Sequence, residues 1–169
     1  MSFVIRKASI KDAPALALIG AATFLETFSG ILSGEAIVSH CSAVHNADCY
    51  RQYLDQGAQA WLAEIEPGLA PIGYALLATP DLAIAEDGDI ELKRIYSLSL
   101  YHGTGLGAAL LNTAVLQTSG YRRLLLGVYM HNERAIAFYQ KHGFSKVGER
   151  QFNVGGTFYD DLLMARALV

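Results

Sequence analysis

The sequence predicts a mixed α+β domain built on a mainly antiparallel sheet. Three observations lead there. Runs with strand alternation lie at the start, middle and end of the chain, and segments with helical spacing of apolar residues separate them. One nearly continuous apolar run, RRLLLGVYM, has the look of a strand buried on both faces. The 169 residues, 52% hydrophobic and 17% charged, suit one folded domain spanning residues 1–169 with a proper core.

Taken in order, FVIRKA (Phe3 to Ala8) alternates as a first strand. Ser9 and Asp12 make an S-x-x-D start, and Pro14 falls in the first helical turn, where it is tolerated. Leu16, Ile19, Phe24 and Phe28 keep helical spacing to about Ser29, and Gly30 and Gly34 interrupt it. A second, less regular helical region covers Glu35 to Gln56. QAWLAEIE and PIGYALLAT then read as strands joined by Pro67-Gly68, the turn chemistry of an antiparallel pair. An acidic segment, DLAIAEDGD, leads into IELKRIYSLSL. After a glycine-rich stretch, Leu106, Leu110, Leu111, Ala114 and Val115 share one helix side, which stops at Ser119-Gly120. RRLLLGVYM follows, then HNERAIAFYQKHGF, a short helix with Asn132 as N-cap, Glu133 in its first turn and Gly143 past its end. FSKVGERQF and TFYDDLLMARAL close the chain as strands, so the expected order is β-α-α-β-β-β-α-β-α-β-β.

Composition narrows the function classes. A formal charge of −3 argues against nucleic acid, where neutralising phosphates with Lys and Arg dominates affinity. The longest uncharged stretch, Ala13 to Leu25, contains Pro14 and is too short to span a bilayer, so no membrane association is expected. No basic segment followed by an apolar one opens the chain, which points to the cytoplasm. Cys41 and Cys49, even taken with His40 and His45, match no zinc or redox spacing. Two reduced thiols and no metal site are expected.

The chemistry centres on YHGTGLGAALL (Tyr101 to Leu111), which places three glycines between a strand and a helix. Gly103-Thr104-Gly105-Leu106-Gly107-Ala108 satisfies the dinucleotide pattern G-x-G-x-x-A. Against that reading, the next strand ends in Met130-His131-Asn132 with no acidic residue for a ribose, and only about sixty residues follow. A triphosphate loop fails because its lysine and hydroxyl residue are missing. A tight turn that merely uses glycines for packing stays open. So does a pyrophosphate cradle, in which the N–H groups of Gly103, Thr104, Gly105, Leu106 and Gly107 point at oxygens beside a helix dipole.

ELKRIYSLSLYHGTGLGAALL followed by NERAIAFYQKHGF resembles the Gcn5-related N-acetyltransferases (GNAT), and the resemblance extends over nearly the whole chain. It implies the acyl-CoA N-acyltransferase fold and acetyl-CoA as cosubstrate. That family places Gln/Arg-x-x-Gly-x-Gly/Ala at the start of the long helix. Here His102 stands at the first position, with Gly105 and Gly107 matching, and histidine lacks arginine's fixed charge near neutral pH. An early TFLETF helix with IELKRIYSLSL looks most like the polyamine (spermine/spermidine) acetyltransferase branch.

Acetyl transfer to an amine requires loss of an ammonium proton with pKa about 10, stabilisation of an oxyanion and protonation of a thiolate. The resemblance implies Glu91 as general base, since it stands where family members with a glutamate base carry one. Asp89 and Glu86 are near enough to replace it, and an ordinary strand-end charge is the plainer reading. Alternation places Glu91, Lys93 and Ile95 on one face, so the carboxylate need not be buried. Tyr139 is implied as the acid at the thiolate, since Asn132, Ala135 and Tyr139 share a helix face. Asn132 would bond the pantetheine arm and Ala135 leave room for it. Ser97 or Leu98 would offer a backbone N–H to the oxyanion. His102, Gly103, Thr104, Gly105, Leu106, Gly107 and Ala108 would hold the phosphates.

The acceptor is expected to be a small-molecule primary amine, polyamine-like, attacking directly in a ternary complex. A protein or peptide amino group is the alternative. A non-catalytic CoA-binding sensor is the reading from another class. The acceptor site is expected between residues 23–56 and 152–159, where Glu26, Glu35, Asp48 and Asp160 could hold a cation. Family members occur as monomers and homodimers, and either is compatible with this chain.

Overall fold

The computed structural model describes residues 2–168. Seven strands form one sheet: β1 (Phe3–Lys7), β2 (Gln59–Ile65), β3 (Ala70–Ala78), β4 (Asp89–Ser97), β5 (Arg123–Tyr129), β6 (Ser145–Val154) and β7 (Thr157–Ala167). Their order across the sheet is β1-β2-β3-β4-β5-β7-β6, and every neighbouring pair is antiparallel except β4 with β5. The mainly antiparallel sheet predicted from the alternating runs is therefore present.

Period-two alternation sorts the side chains onto two faces. Trp61, Ala63, Ala75, Leu77, Leu124, Leu126 and Val128 join one core with Leu106, Leu110 and Leu111 of α4 (Leu106–Val115) and Tyr139 of α5 (Glu133–Lys141). Ala60, Leu62, Tyr74 and Leu76 join the opposite core with Leu16 and Ile19 of α1 (Ala13–Phe28) and Tyr50 of α3 (Ala47–Asp55). Leu124, Leu125 and Leu126 are each buried, so consecutive β5 residues are covered on both faces.

The helical region expected as one element over residues 35–56 is two helices, α2 (Gly34–Val44) and α3. Asn46 breaks it: its side chain accepts from Cys49 N at 3.0 Å and caps α3, while its own backbone is extended. Ser33 caps α2 in the same way, accepting from Ala36 N at 3.1 Å. No helix among the described residues is long and apolar enough to cross a membrane.

The feature that positions the site is the join between the two halves of the sheet. β4 and β5 pair only through Asp89–Arg123, Ile90–Leu124 and Glu91–Leu125. Beyond Glu91 the two strands part, and the rest of β4 runs to Ser97 with no partner on its β5 side. An opening in a parallel pair exposes backbone groups that a closed sheet would satisfy.

Candidate active site

The glycine-rich stretch stands at the mouth of that opening. Gly103 and Gly105 have φ of +79° and +87°, the left-handed region that favours glycine. No protein atom lies within 4 Å of where a Cβ would sit at either. The glycines therefore are not there to let protein pack; they leave space in front of the backbone. His102 N–H donates to Ser99 O at 3.0 Å, and Thr104 N–H turns back to Tyr101 O at 3.4 Å. Among the described residues, the N–H groups of Gly103, Gly105, Leu106, Gly107 and Ala108 have no such partner; Ala109, bonded to Gly105 O, is the first engaged donor of α4. Of the seven residues expected to hold the phosphates, His102 and Thr104 thus have their N–H groups engaged, and the other five leave theirs free. These donors at a helix N-terminus form a cradle for an anion, and a pyrophosphate fits their number and spacing.

His102 also differs from its expected part. Its Nε2 faces Ser97 O at 3.1 Å, and its Nδ1 faces Arg134 Nη1. Burial first and Arg134 second lower its pKa, so the ring is neutral, donates from Nε2 and accepts at Nδ1. Arg134 thereby brings to the loop a fixed charge that His102 lacks. Sequence reasoning missed Arg134, although it lies only two residues after Asn132.

On β4, the expected common face for Glu91, Lys93 and Ile95 is wrong. Leu77 pairs with Leu92 and Leu76 with Arg94, so Lys93 is an extra, bulged residue. After it the alternation inverts: Ile95 packs in the core under α4 and α5. Glu91 instead faces the α1–α3 side, the side of Arg94 and Tyr96. Nor is Glu91 free of burial; it is 3% exposed. Its carboxylate accepts from Asp81 N at 3.2 Å and from Lys93 Nζ at 3.3 Å. Burial raises its pKa above the ordinary glutamate value, with Lys93 opposing. Asp89 and Glu86 do not stand in for it: Asp89 holds Arg123 at 2.6 Å, and Glu86 holds Arg122 at 2.8 Å.

Of the two backbone candidates at the end of β4, Leu98 N–H is engaged, donating to Ile72 O at 2.9 Å. Successive residues of a strand direct their N–H groups to opposite edges, so that of Ser97 faces the opening. Tyr139 enters from α5. It is 8% exposed and its ring lies beside Phe138 and Phe144; among the described residues no protein group bonds its hydroxyl, which is not fully enclosed. Burial first, then the nearby phenol of Tyr96, raises its pKa well above that of free tyrosine, so the hydroxyl keeps its proton. Asn132 caps α5, accepting from Ala135 N at 3.1 Å, which leaves its amide NH2 as the donor for another group. Ala135 lies partly buried against the same core.

The α1–α2 side closes over the opening with aromatic and imidazole rings. Phe24 stacks on His40 at 4.3 Å, His40 meets Phe152, and Phe28 and Tyr159 flank Tyr129. This joins the segments expected to build the acceptor site. Two of the carboxylates expected there are spoken for. Glu26 accepts from Ser99 N and Oγ at 2.9 and 3.0 Å, anchoring the turn before the loop. Asp48 pairs with Arg51 on the outside of α3. Gly127 leaves the space into which Arg150 lies, bound to Asp161 at 3.2 Å. Cys41 and Cys49 are unpaired thiols. No group of three metal-ligating side chains occurs among the described residues.

Comparison with known proteins gives the family. Residues 27–144 match the model of the acetyltransferase (GNAT) family. Uncharacterized N-acetyltransferases of Mycobacterium tuberculosis and Mycobacterium bovis are 36% identical over 160 residues, covering 94% of this chain and 99% of theirs. The chain belongs to the GNAT family and is an N-acetyltransferase of that type. Among solved structures, the PaiA N-acetyltransferase of Thermoplasma acidophilum, in complex with coenzyme A, has a TM-score of 0.77 at 24% identity, covering 99% of both chains. The ribosomal-protein-S18-alanine N-acetyltransferase of Escherichia coli has a TM-score of 0.72 at 18% identity, covering 99% of this chain and 94% of its own. At those identities the likeness is one of fold, and it covers the full sheet.

Proposed function

We propose that the protein transfers acetyl from acetyl-CoA directly to a primary amine of a small, polyamine-like molecule, with both substrates bound together. The observation that carries this reading is the opening between β4 and β5. It has unpaired N–H donors at its mouth and Ser97 N–H on its edge, and Tyr139 of α5 packs in the core on the same side as α4. Acetyl-CoA supplies an activated acetyl thioester. Gly103, Gly105, Leu106, Gly107 and Ala108 hold its phosphates by N–H, with Arg134 beside them. The amide NH2 of Asn132 holds the arm.

Glu91 takes the proton that the ammonium must lose, directly or through water, and the upward shift that burial gives its pKa makes it a stronger base. The amine nitrogen bonds to the acetyl carbon, the carbon–sulfur bond breaks, and the sulfur departs with the electron pair. Ser97 N–H faces the oxygen that gains charge. Tyr139 donates a hydrogen bond to the departing sulfur. The nitrogen gives up its second proton as the amide forms and the thiolate takes up one, so one proton, first held by Glu91, is released overall for each amide and free thiol formed.

A thiol-release assay with acetyl-CoA and a panel of polyamines, amino acids and peptides tests the reading. Turnover on a small amine supports it, and preference for peptides shifts the acceptor to a protein amino group. Coenzyme A binding without turnover on any amine would leave only a sensor.

A further inference from the structure

One ionised group on the acceptor side has no counter-charge. Arg94 leaves β4 beneath α1 and α3. Its Nη1 donates to Tyr50 Oη at 2.9 Å, faces His45 Nδ1 at 3.3 Å and reaches Val44 O at 3.4 Å. The rings of Tyr50 and Tyr53 lie against the guanidinium, 5.4 and 5.5 Å from its carbon. All these partners are neutral; His45, under burial and the field of Arg94, is pushed down to about 3.

Among the described residues no carboxylate lies within ion-pair distance of Arg94. Arg123 and Arg150, also beside the sheet, each hold an aspartate. A guanidinium offers five N–H donors in a planar fork, and the contacts above all fall on Nη1. Nε and Nη2 are left over. A largely buried cation without an anion is costly, and removing that cost is what a bound anion would do.

Against this group lies a cavity of about 240 Å³ lined by Val44, Cys49, Gln52, Tyr53, Gln56 and Arg94. Gln52 of α3 and Gln56 at its C-cap stand one turn apart and add neutral amide donors. A smaller cavity shares Tyr53 and Gln56 and continues to Ala78 and Thr79. Ala78 is the register partner of Glu91. The two neighbouring hollows thus lie between Arg94 and the strand position opposite Glu91. Two register steps separate these residues, roughly 7 Å along the strand.

We propose that this cavity seats a carboxylate carried by the amine acceptor, gripped by the free edge of Arg94 with Gln52 and Gln56 beside it. The proposal rests on the acetyl-transfer step of the reading above and revises its acceptor from a polyamine-like amine to an amine that carries a carboxylate. A bidentate arginine–carboxylate pair fits both the fork and the vacant donors. A polyamine without a carboxylate brings only positive charge to Arg94 and gains nothing there.

The test compares matched acceptors that differ only in the carboxylate: lysine with cadaverine, tyrosine with tyramine, histidine with histamine. The ratio of kcat/KM within each pair is the readout. At least one amino acid is expected to exceed its decarboxylated partner by about tenfold or more, the range of a charge-assisted pair. Arg94→Gln is expected to collapse that ratio through KM of the amino acid, and Arg94→Lys to restore part of it. An unchanged KM for acetyl-CoA shows that each variant is folded.

A ratio near one in the wild type, or a ratio that survives Arg94→Gln, overturns the proposal. A second arm needs no turnover: calorimetric titration of the matching N-acetyl amino acids into the protein with coenzyme A. Arg94-dependent binding there, with no amine acetylated, would keep the carboxylate site and remove the transfer reading. Turnover with no carboxylate preference would do the reverse.

Discussion

Replacing Gly20 by alanine sets two effects of opposite sign against each other. Gly20 lies within α1, where helix propensity alone makes alanine better by about 1 kcal/mol. A Cβ at this position would sit 2.4 Å from Tyr50 Oη, 2.6 Å from His45 Nδ1 and 3.2 Å from Tyr74 Oη. None of the three can simply swing away. Tyr50 and Tyr74 are fully buried and bonded to each other at 3.1 Å, and His45 holds Tyr50 at 3.0 Å. Overpacking costs about 1–3 kcal/mol. Losing the two hydrogen bonds costs about 1 kcal/mol each. The packing side wins by about 2–4 kcal/mol once the propensity gain is set against it. For a chain of this size that lowers the unfolding midpoint by roughly 5–15 °C. Thermal unfolding followed by circular dichroism measures it directly. A midpoint equal to the wild type, or higher, would refute the close packing of α1 on the Arg94 network.

Two further substitutions address the site itself. Because burial raises the pKa of Glu91 and a base works deprotonated, kcat/KM should fall as pH drops through a value above the ordinary 4.5. Glu91→Gln should lower the rate by about 10²–10⁴-fold and abolish that limb, and an unaltered pH–rate profile would remove Glu91 from the role. Gly105→Ala meets no protein atom, so its folding cost is the left-handed strain of about 1–2 kcal/mol. Its coenzyme A affinity, read by calorimetry, should fall tenfold or more, since the methyl occupies the space in front of the donors. An affinity within about twofold of wild type would contradict the cradle.

The fold was legible wherever local pattern and tertiary role coincide. RRLLLGVYM reads as a doubly covered strand because each of Leu124, Leu125 and Leu126 meets a packed face. HNERAIAFYQKHGF reads as a capped helix because Asn132 does cap it. What escaped the sequence depends on partners far along the chain. The bulge at Lys93 arises from the pairing of β4 with β3, and it alone turns Ile95 away from the side of Glu91. The engagement of Leu98 N–H with Ile72, and of Glu26 with Ser99, likewise needs segments that only folding brings together. Arg94 gave no local signal at all: inside KRIY it reads as an ordinary strand charge. Its meaning lies in Tyr50, His45 and Val44, more than forty residues away. The two-helix break at Asn46 was within reach, since asparagine before Ala-Asp-Cys is an N-cap pattern.

Thiol release by Tyr139→Phe tests the account most directly, because the change removes one oxygen and keeps the ring in the core. If the hydroxyl serves the departing sulfur, kcat should fall by about 10²-fold or more, with KM for acetyl-CoA within about twofold of wild type. An unchanged kcat would contradict the assignment of the opening between β4 and β5 as the place where the carbon–sulfur bond breaks.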